Sequence, residues 1–188
     1  MRTFVAIRCG EQVRARLARE GARLRELDPG MRVTREGDFH LTVQFLGEVG
    51  EDLVPVLGEA LKEAAAGFGP VAVRYRGIGA FPHPGRPSVV WAGMEEEEAP
   101  GRLTALAKAV GEALKPLGYP PERRPWSAHV TLGRFRGGRP SPALEEALEQ
   151  GGHVDLGRET LSDLKLILSA PQEGRYHYID LTTVRLGS

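Results

Sequence analysis

His40-Leu-Thr-Val-Gln-Phe-Leu-Gly47 opens with an alternation of His, apolar, Thr, apolar that returns at His129-Val-Thr-Leu-Gly-Arg134. Both stretches are rich in β-formers and read as strands. Strand side chains alternate between faces. His40 and Thr42 therefore share one face, and Leu41 and Val43 share the other. His129 and Thr131 stand against Val130 and Leu132 in the same way. The apolar face suits packing on helices, which leaves the His/Thr face to a cleft.

Working outward, Thr3–Arg8 reads as a strand. Glu11–Leu27 reads as an amphipathic helix, with Val13, Leu17, Leu24 and Leu27 on one stripe and Pro29-Gly30 as its stop. The strand around His40 spans Asp38–Gly47, and a second helix, Glu51–Ala66, carries acids in its first turn. Val71–Ile78 and Ser88–Met94 read as strands, with a loop across Ala80–Pro87 between them. The acid run Glu95–Glu98 reads as a solvated start to a third helix, Ala99–Lys115. The second motif lies in a strand over Ala128–Phe135. Ser141 caps a helix Pro142–Gln150 whose first position is a proline. Strands at His153–Leu156, Leu161–Ser169 and Tyr176–Leu186 close the chain. A strand–helix–strand–helix–strand–strand order runs through each half. One domain over residues 1–188 is expected, its halves forming a pseudo-repeat that each carry one His-x-Thr strand.

Composition bounds the function. The 188 residues are 41% apolar and 27% charged, with 25 basic and 25 acidic side chains. That balance argues against a broad electrostatic footprint on duplex nucleic acid but leaves room for capture of one phosphate. Cys9 is the lone cysteine and has no internal disulfide partner. No apolar run approaches the ~18 residues of a membrane helix, and Met1–Arg8 is too short for a signal peptide. A cytoplasmic monomer is expected.

With the halves related by a pseudo-two-fold, two imidazoles and two hydroxyls converge on one point. Such a set suits phosphate chemistry. One histidine takes a proton from the attacking oxygen while the other gives one to the leaving oxygen. The threonines donate to non-bridging oxygens, where charge develops. Zinc needs three or four protein ligands, and the motifs offer no third at a familiar spacing. Asp38, two residues before His40, stands either as such a ligand or as a partner that orients His40. No metal and no cofactor are expected.

The same residues resemble the paired signatures of the two-histidine phosphoesterase superfamily, and most closely its RNA 2′,3′-cyclic phosphodiesterase family, also called the LigT-like 2′-5′ RNA ligase family. Phe4-Val-Ala-Ile7 is similar to that family's opening strand. Gly79-Ala-Phe-Pro82 with Pro87-Ser-Val-Val-Trp91 is similar to its central segment, and Leu161-Ser-Asp-Leu-Lys-Leu166 with Tyr176 to its closing hairpin. The resemblance implies a bilobal α+β fold, with two pseudo-symmetric lobes, an antiparallel-rich sheet in each, helices outside and the active site in the central cleft. It implies opening of a 2′,3′-cyclic phosphate on an RNA or nucleotide end, tRNA fragments among them, to a 2′-phosphate, and, with an RNA 5′-hydroxyl in place of water, a 2′-5′ ligation. His40 would be the general acid and His129 the general base, in a site that reads the same with the roles exchanged.

The resemblance also places an aromatic at Phe45 and a guanidinium at Arg134, where they can sandwich a base; Arg134 can equally reach the phosphate. Strict alternation puts both on the buried face, five positions after their histidines. A bulge or turn beside Gly47 or Gly133 reconciles the two, while core packing competes for Phe45. Arg123, Arg124, Arg134, Arg136 and Arg139 form a candidate patch for steering an RNA end. Tyr176 and Trp126 either flank the cleft or pack. His83, His153 and His177 lack a threonine partner and read as surface or packing residues. The competing functions are a sister phosphoesterase on a small cyclic nucleotide phosphate or a 3′ RNA tail, and an RNA-end or nucleotide-binding module without turnover.

Overall fold

The computed structural model describes residues 1–135, 137–172 and 175–187. Its strands are β1 Arg2–Arg8, β2 Met31–Val33, β3 His40–Glu48, β4 Val71–His83, β5 Arg86–Glu96, β6 His129–Phe135, β7 Asp155–Leu161, β8 Asp163–Gln172 and β9 Arg175–Arg185. The helices are α1 Glu11–Leu27, α2 Val54–Ala65, α3 Arg102–Leu114 and α4 Pro142–Glu149. The class is α+β, as expected.

The expected pair of sheets is one sheet. Nine strands join in the order β7-β4-β5-β6-β3-β1-β8-β9, with β2 added beside β6. The two sides meet where Leu41 of β3 pairs antiparallel with Val130 of β6. This is the junction the motifs themselves form. Each side draws strands from both halves of the chain: β1 and β3 lie with β8 and β9, while β4 and β5 lie with β6 and β7. Helices α2 and α3 pack together beneath the β3 side, and α1 and α4 lie beneath the β6 side.

One apolar core lies between sheet and helices. Leu41, Val43, Val130 and Leu132 enter it beside Val13, Leu17 and Leu24 of α1 and Leu106 and Val110 of α3. The other face carries a small separate cluster of Phe4, Ala6 and Ile167, with Tyr178 packed against it.

Local departures have local causes. The expected loop at Ala80–Pro87 is a hairpin with only residues 84 and 85 in its turn. Pro82 faces Pro87 at a register shift, a place where a missing N–H breaks no ladder. The Gly85 N–H donates to His83 Nδ1 in that turn. β2 is three residues long, too short to show alternation, and forms because Met31 buries its side chain. The acids of 51–53 wind a 3-10 turn before α2, whose second residue, Pro55, needs no donor there. Glu95 and Glu96 end β5 rather than open a helix. The Glu96 carboxylate accepts the Arg102 and Leu103 N–H groups, so it caps α3 from a distance in sequence. Ser141 caps α4 as expected, accepting the Leu144 N–H at 3.1 Å.

Candidate active site

The Leu41–Val130 pairing decides how the motifs meet. In an antiparallel ladder the next residues out also oppose each other. His40 is therefore level with Thr131, and Thr42 with His129. Directly opposed residues bring their Cβ atoms to about 5 Å. The two motifs thus lie side by side on the face turned away from the helices, with the Leu41–Val130 pairing between them.

The imidazoles are held alike. His40 Nδ1 lies 2.6 Å from the Asp38 carbonyl oxygen. His129 Nδ1 lies 2.8 Å from the Ser127 carbonyl oxygen. A carbonyl only accepts, so each Nδ1 carries the proton and each Nε2 is left to exchange one with a ligand. Asp38 thus orients His40, but through its backbone. Its carboxylate instead pairs with Arg35 at 2.7 Å.

Aromatic rings fix the planes. Tyr178 stands edge-on to His40, centroids 5.3 Å apart at 87°, and Phe4 lies 4.9 Å away. Phe81 stands edge-on to His129, 5.2 Å apart at 81°. Burial pushes the His40 pKa below its ordinary value. The Asp38 carbonyl opposes that shift, while the Arg8 and Arg134 cations add to it.

Thr131 is pinned through its backbone, its carbonyl accepting the Thr34 hydroxyl at 2.8 Å. The Thr42 carbonyl accepts the Trp126 indole N–H at 3.1 Å, and Trp126 is partly buried against the apolar core, so it packs. Among the described residues, no group of three His, Cys, Asp or Glu side chains is placed to hold a metal ion.

Phe45 and Arg134 are both exposed, Phe45 by 54%. Each strand bulges after its threonine. Ala6 pairs with Thr42 and Val5 with Gln44, so Val43 has no partner on β1. Trp91 pairs with Thr131 and Val90 with Gly133, so Leu132 has none on β5. One extra residue resets the alternation. Gln44 and Gly133 turn inward, and Phe45 and Arg134 turn to the His/Thr face. The bulges fall at Val43 and Leu132, before the residues expected to relieve the strands.

Over residues 7–91 and 94–166 the sequence matches the family described as LigT like Phosphoesterase. The chain belongs to that family. An Aeropyrum pernix relative named RNA 2′,3′-cyclic phosphodiesterase is 36% identical over 151 residues, which cover 80% of this chain and 84% of the relative. An Archaeoglobus fulgidus relative of the same name is 35% identical over 168 residues, covering 88% and 89%. A Thermus thermophilus protein of solved structure superposes with a TM-score of 0.82 at 27% identity, covering 100% of this chain and 98% of that one. The Escherichia coli LigT structure complexed with 3′-AMP shares the fold, with a TM-score of 0.75 at 22% identity and the same coverage.

In this phosphoesterase the sequence alone assigns no role to Phe4, Phe81 and Tyr178, nor to Arg35, which ties Asp38 to the Tyr176 carbonyl. Phe81 falls in the expected loop. Tyr178 gives one usable signal, its two-residue spacing from Tyr176, which puts both on one face of a strand. Tyr176 is exposed. Arg123, Arg124 and Arg139 are exposed, and Arg136 lies outside the described residues.

Proposed function

We propose that this LigT-like phosphoesterase is an RNA 2′,3′-cyclic phosphodiesterase that opens a terminal 2′,3′-cyclic phosphate to a 2′-phosphate by paired histidine catalysis. Water attacks phosphorus while His129 Nε2 takes its proton. The bond from phosphorus to the 3′ oxygen breaks, and that oxygen takes a proton from His40 Nε2, so the pair ends with its proton count unchanged. Thr42 and Thr131 donate to the non-bridging oxygens. Arg134 and Phe45 hold the nucleotide. With an RNA 5′-hydroxyl attacking in place of water, the same ring opening forms a 2′-5′ phosphodiester and frees the 3′-hydroxyl, so the site also acts as a 2′-5′ ligase.

The observation that carries the reading is the matched hold on the two imidazoles, Nδ1 on a backbone carbonyl two residues upstream in both, on strands that pair at Leu41 and Val130. Mere anion capture is better served by arginine, lysine and backbone amides. The names of the Aeropyrum and Archaeoglobus relatives support the substrate class. The proposal extends to a cytoplasmic monomer that uses no metal or cofactor and acts on RNA or nucleotide ends, tRNA fragments included.

The test is phosphorus NMR of adenosine 2′,3′-cyclic phosphate, and of an RNA oligomer with the same end, incubated with the protein in EDTA. Appearance of the 2′-phosphate, lost in His40→Ala and in His129→Ala, is the expected result. Intact cyclic phosphate on both substrates overturns the reading.

A further inference from the structure

Beyond the motif residues, the sheet places arginines along one line. Arg32 of β2 is the ladder partner of Arg134 of β6. Directly opposed residues share a face, so Arg32 stands beside Arg134 on the His/Thr side. Their neighbours agree: Met31 and Phe135 point into the core, and Arg32 and Arg134 are exposed. Like charges set opposite each other across a ladder cost stability unless an anion sits between them. Arg8, Arg35, Arg74 and Arg158 each have a carboxylate partner. Arg32 and Arg134 have none among the described residues.

The line continues. Arg134 is level with Val89 of β5, and β5 runs antiparallel to β6. Ser88 is an extra residue between the Phe81–Val89 and Pro82–Pro87 pairings, so Pro87 turns inward and Arg86 turns to the face of Arg134, about 7–10 Å beyond it in the direction away from the histidines. There a shallow hollow is lined by Gly85, Arg86, Gly138 and Arg139. Glu145 approaches Gly85 at its rim, so two guanidiniums stand against one carboxylate.

We propose that Arg32 with Arg134, and then Arg86 with Arg139, form a track for the backbone phosphates of a single RNA strand whose cyclic phosphate end lies at the histidines. The strand leaves the site along β6 toward Phe135. The first guanidinium pair takes the phosphate next to the reacting one, and the second pair takes the one after it. This rests on the phosphodiesterase reading and adds a substrate class to it: an oligonucleotide of at least three residues rather than a mononucleotide. Overall charge is balanced, so the affinity is local to this line rather than a property of the whole surface.

The experiment compares adenosine 2′,3′-cyclic phosphate with a tetraribonucleotide ending in a 2′,3′-cyclic phosphate, at 50 and 200 mM salt. Each phosphate held on a single strand contributes a slope of about 0.7 in log affinity against log salt. Two extra phosphates make kcat/KM of the tetranucleotide fall about sevenfold more than that of the mononucleotide over that range. Arg32→Gln and Arg86→Gln should each raise the tetranucleotide KM severalfold, flatten its salt slope, and leave mononucleotide turnover within about twofold. Equal salt slopes for the two substrates, or an unchanged tetranucleotide KM in the Arg32→Gln/Arg86→Gln double variant, overturn the track while leaving the enzyme reading intact. If neither substrate is turned over, the enzyme reading fails. Binding of a dye-labelled tetranucleotide 2′-phosphate then decides the track, which stands if the double variant binds it at least tenfold more weakly than wild type and falls if affinity is unchanged.

Discussion

Val43 and Leu132 hold the same place in their motifs: each is the bulged residue three positions after a histidine, unpaired with the strand beside it. The bulges let one strand serve two purposes. Before the bulge, Leu41 and Val130 feed the core while His40 and His129 face out. After it, the phase is reset, and Phe45 and Arg134 join the histidines' face.

The bulge on β6 needs a glycine behind it. A Cβ at Gly133 would lie 2.6 Å from Met31 Cε and 2.7 Å from the Arg32 carbonyl oxygen. The methionine end can move, but the backbone oxygen cannot move without shifting β2. Gly133→Ala should cost about 1–3 kcal/mol, read by thermal or denaturant unfolding. Gly37→Ala, where a Cβ meets nothing within 4 Å, serves as the control and should stay within about 0.5 kcal/mol of wild type.

The threonines should matter through their hydroxyls. Thr42→Val and Thr131→Val keep shape and β-branching but remove the hydroxyl proposed to donate to the phosphate. Each should lower kcat by about 10²-fold or more with little change in unfolding temperature. Unchanged kcat in both would remove the threonines from the mechanism.

His40 gives the pH dependence its sign. Burial, reinforced by Arg8 and Arg134, holds its pKa below the usual histidine value near 6.5. One limb of a bell-shaped kcat/KM profile should therefore lie below pH 6.5. Arg134→Gln removes a cation that opposes protonation, so that limb should move upward. The imidazole resonances of His40, followed by NMR titration in the same variant, should move in the same direction.

The cap on α3 is testable apart from activity. Gly101 at its N-cap has no side chain to offer, and the Glu96 carboxylate takes its place. Glu96→Ala should cost about 1 kcal/mol, measured by denaturant unfolding, with turnover unchanged.

Cys9 should be inert in the native protein. Burial pushes its thiol pKa up to about 12, and only the thiolate reacts. A colorimetric thiol reagent at pH 8 should label it only after unfolding. Rapid labelling of the native chain would contradict the burial.

Much of this was legible in the sequence because it rests on short-range rules. The ends of α1 and the Ser141-Pro142 start of α4 follow from periodicity and capping, and both match the structure. The His-x-Thr face follows from alternation. What was not legible depends on partners far along the chain. Alternation alone buries Phe45 and Arg134; only the pairings with β1 and β5 place the bulges that expose them. β2 has three residues and no pattern of its own. Phe81 and Tyr178 reach the imidazoles from strands about 50 and 140 residues away from their histidines, a distance no local spacing encodes.

The interlaced strand order also bears on how the molecule comes into being. β1 gains its second sheet neighbour only with β8, which starts at Asp163, and β4 gains its second only with β7, which starts at Asp155. Loop closure over such separations slows folding. A chain emerging from the ribosome therefore carries both histidines for some time before either half of the sheet is complete. No partly made product has a complete sheet under the two histidines, and premature release leaves unpaired strand edges.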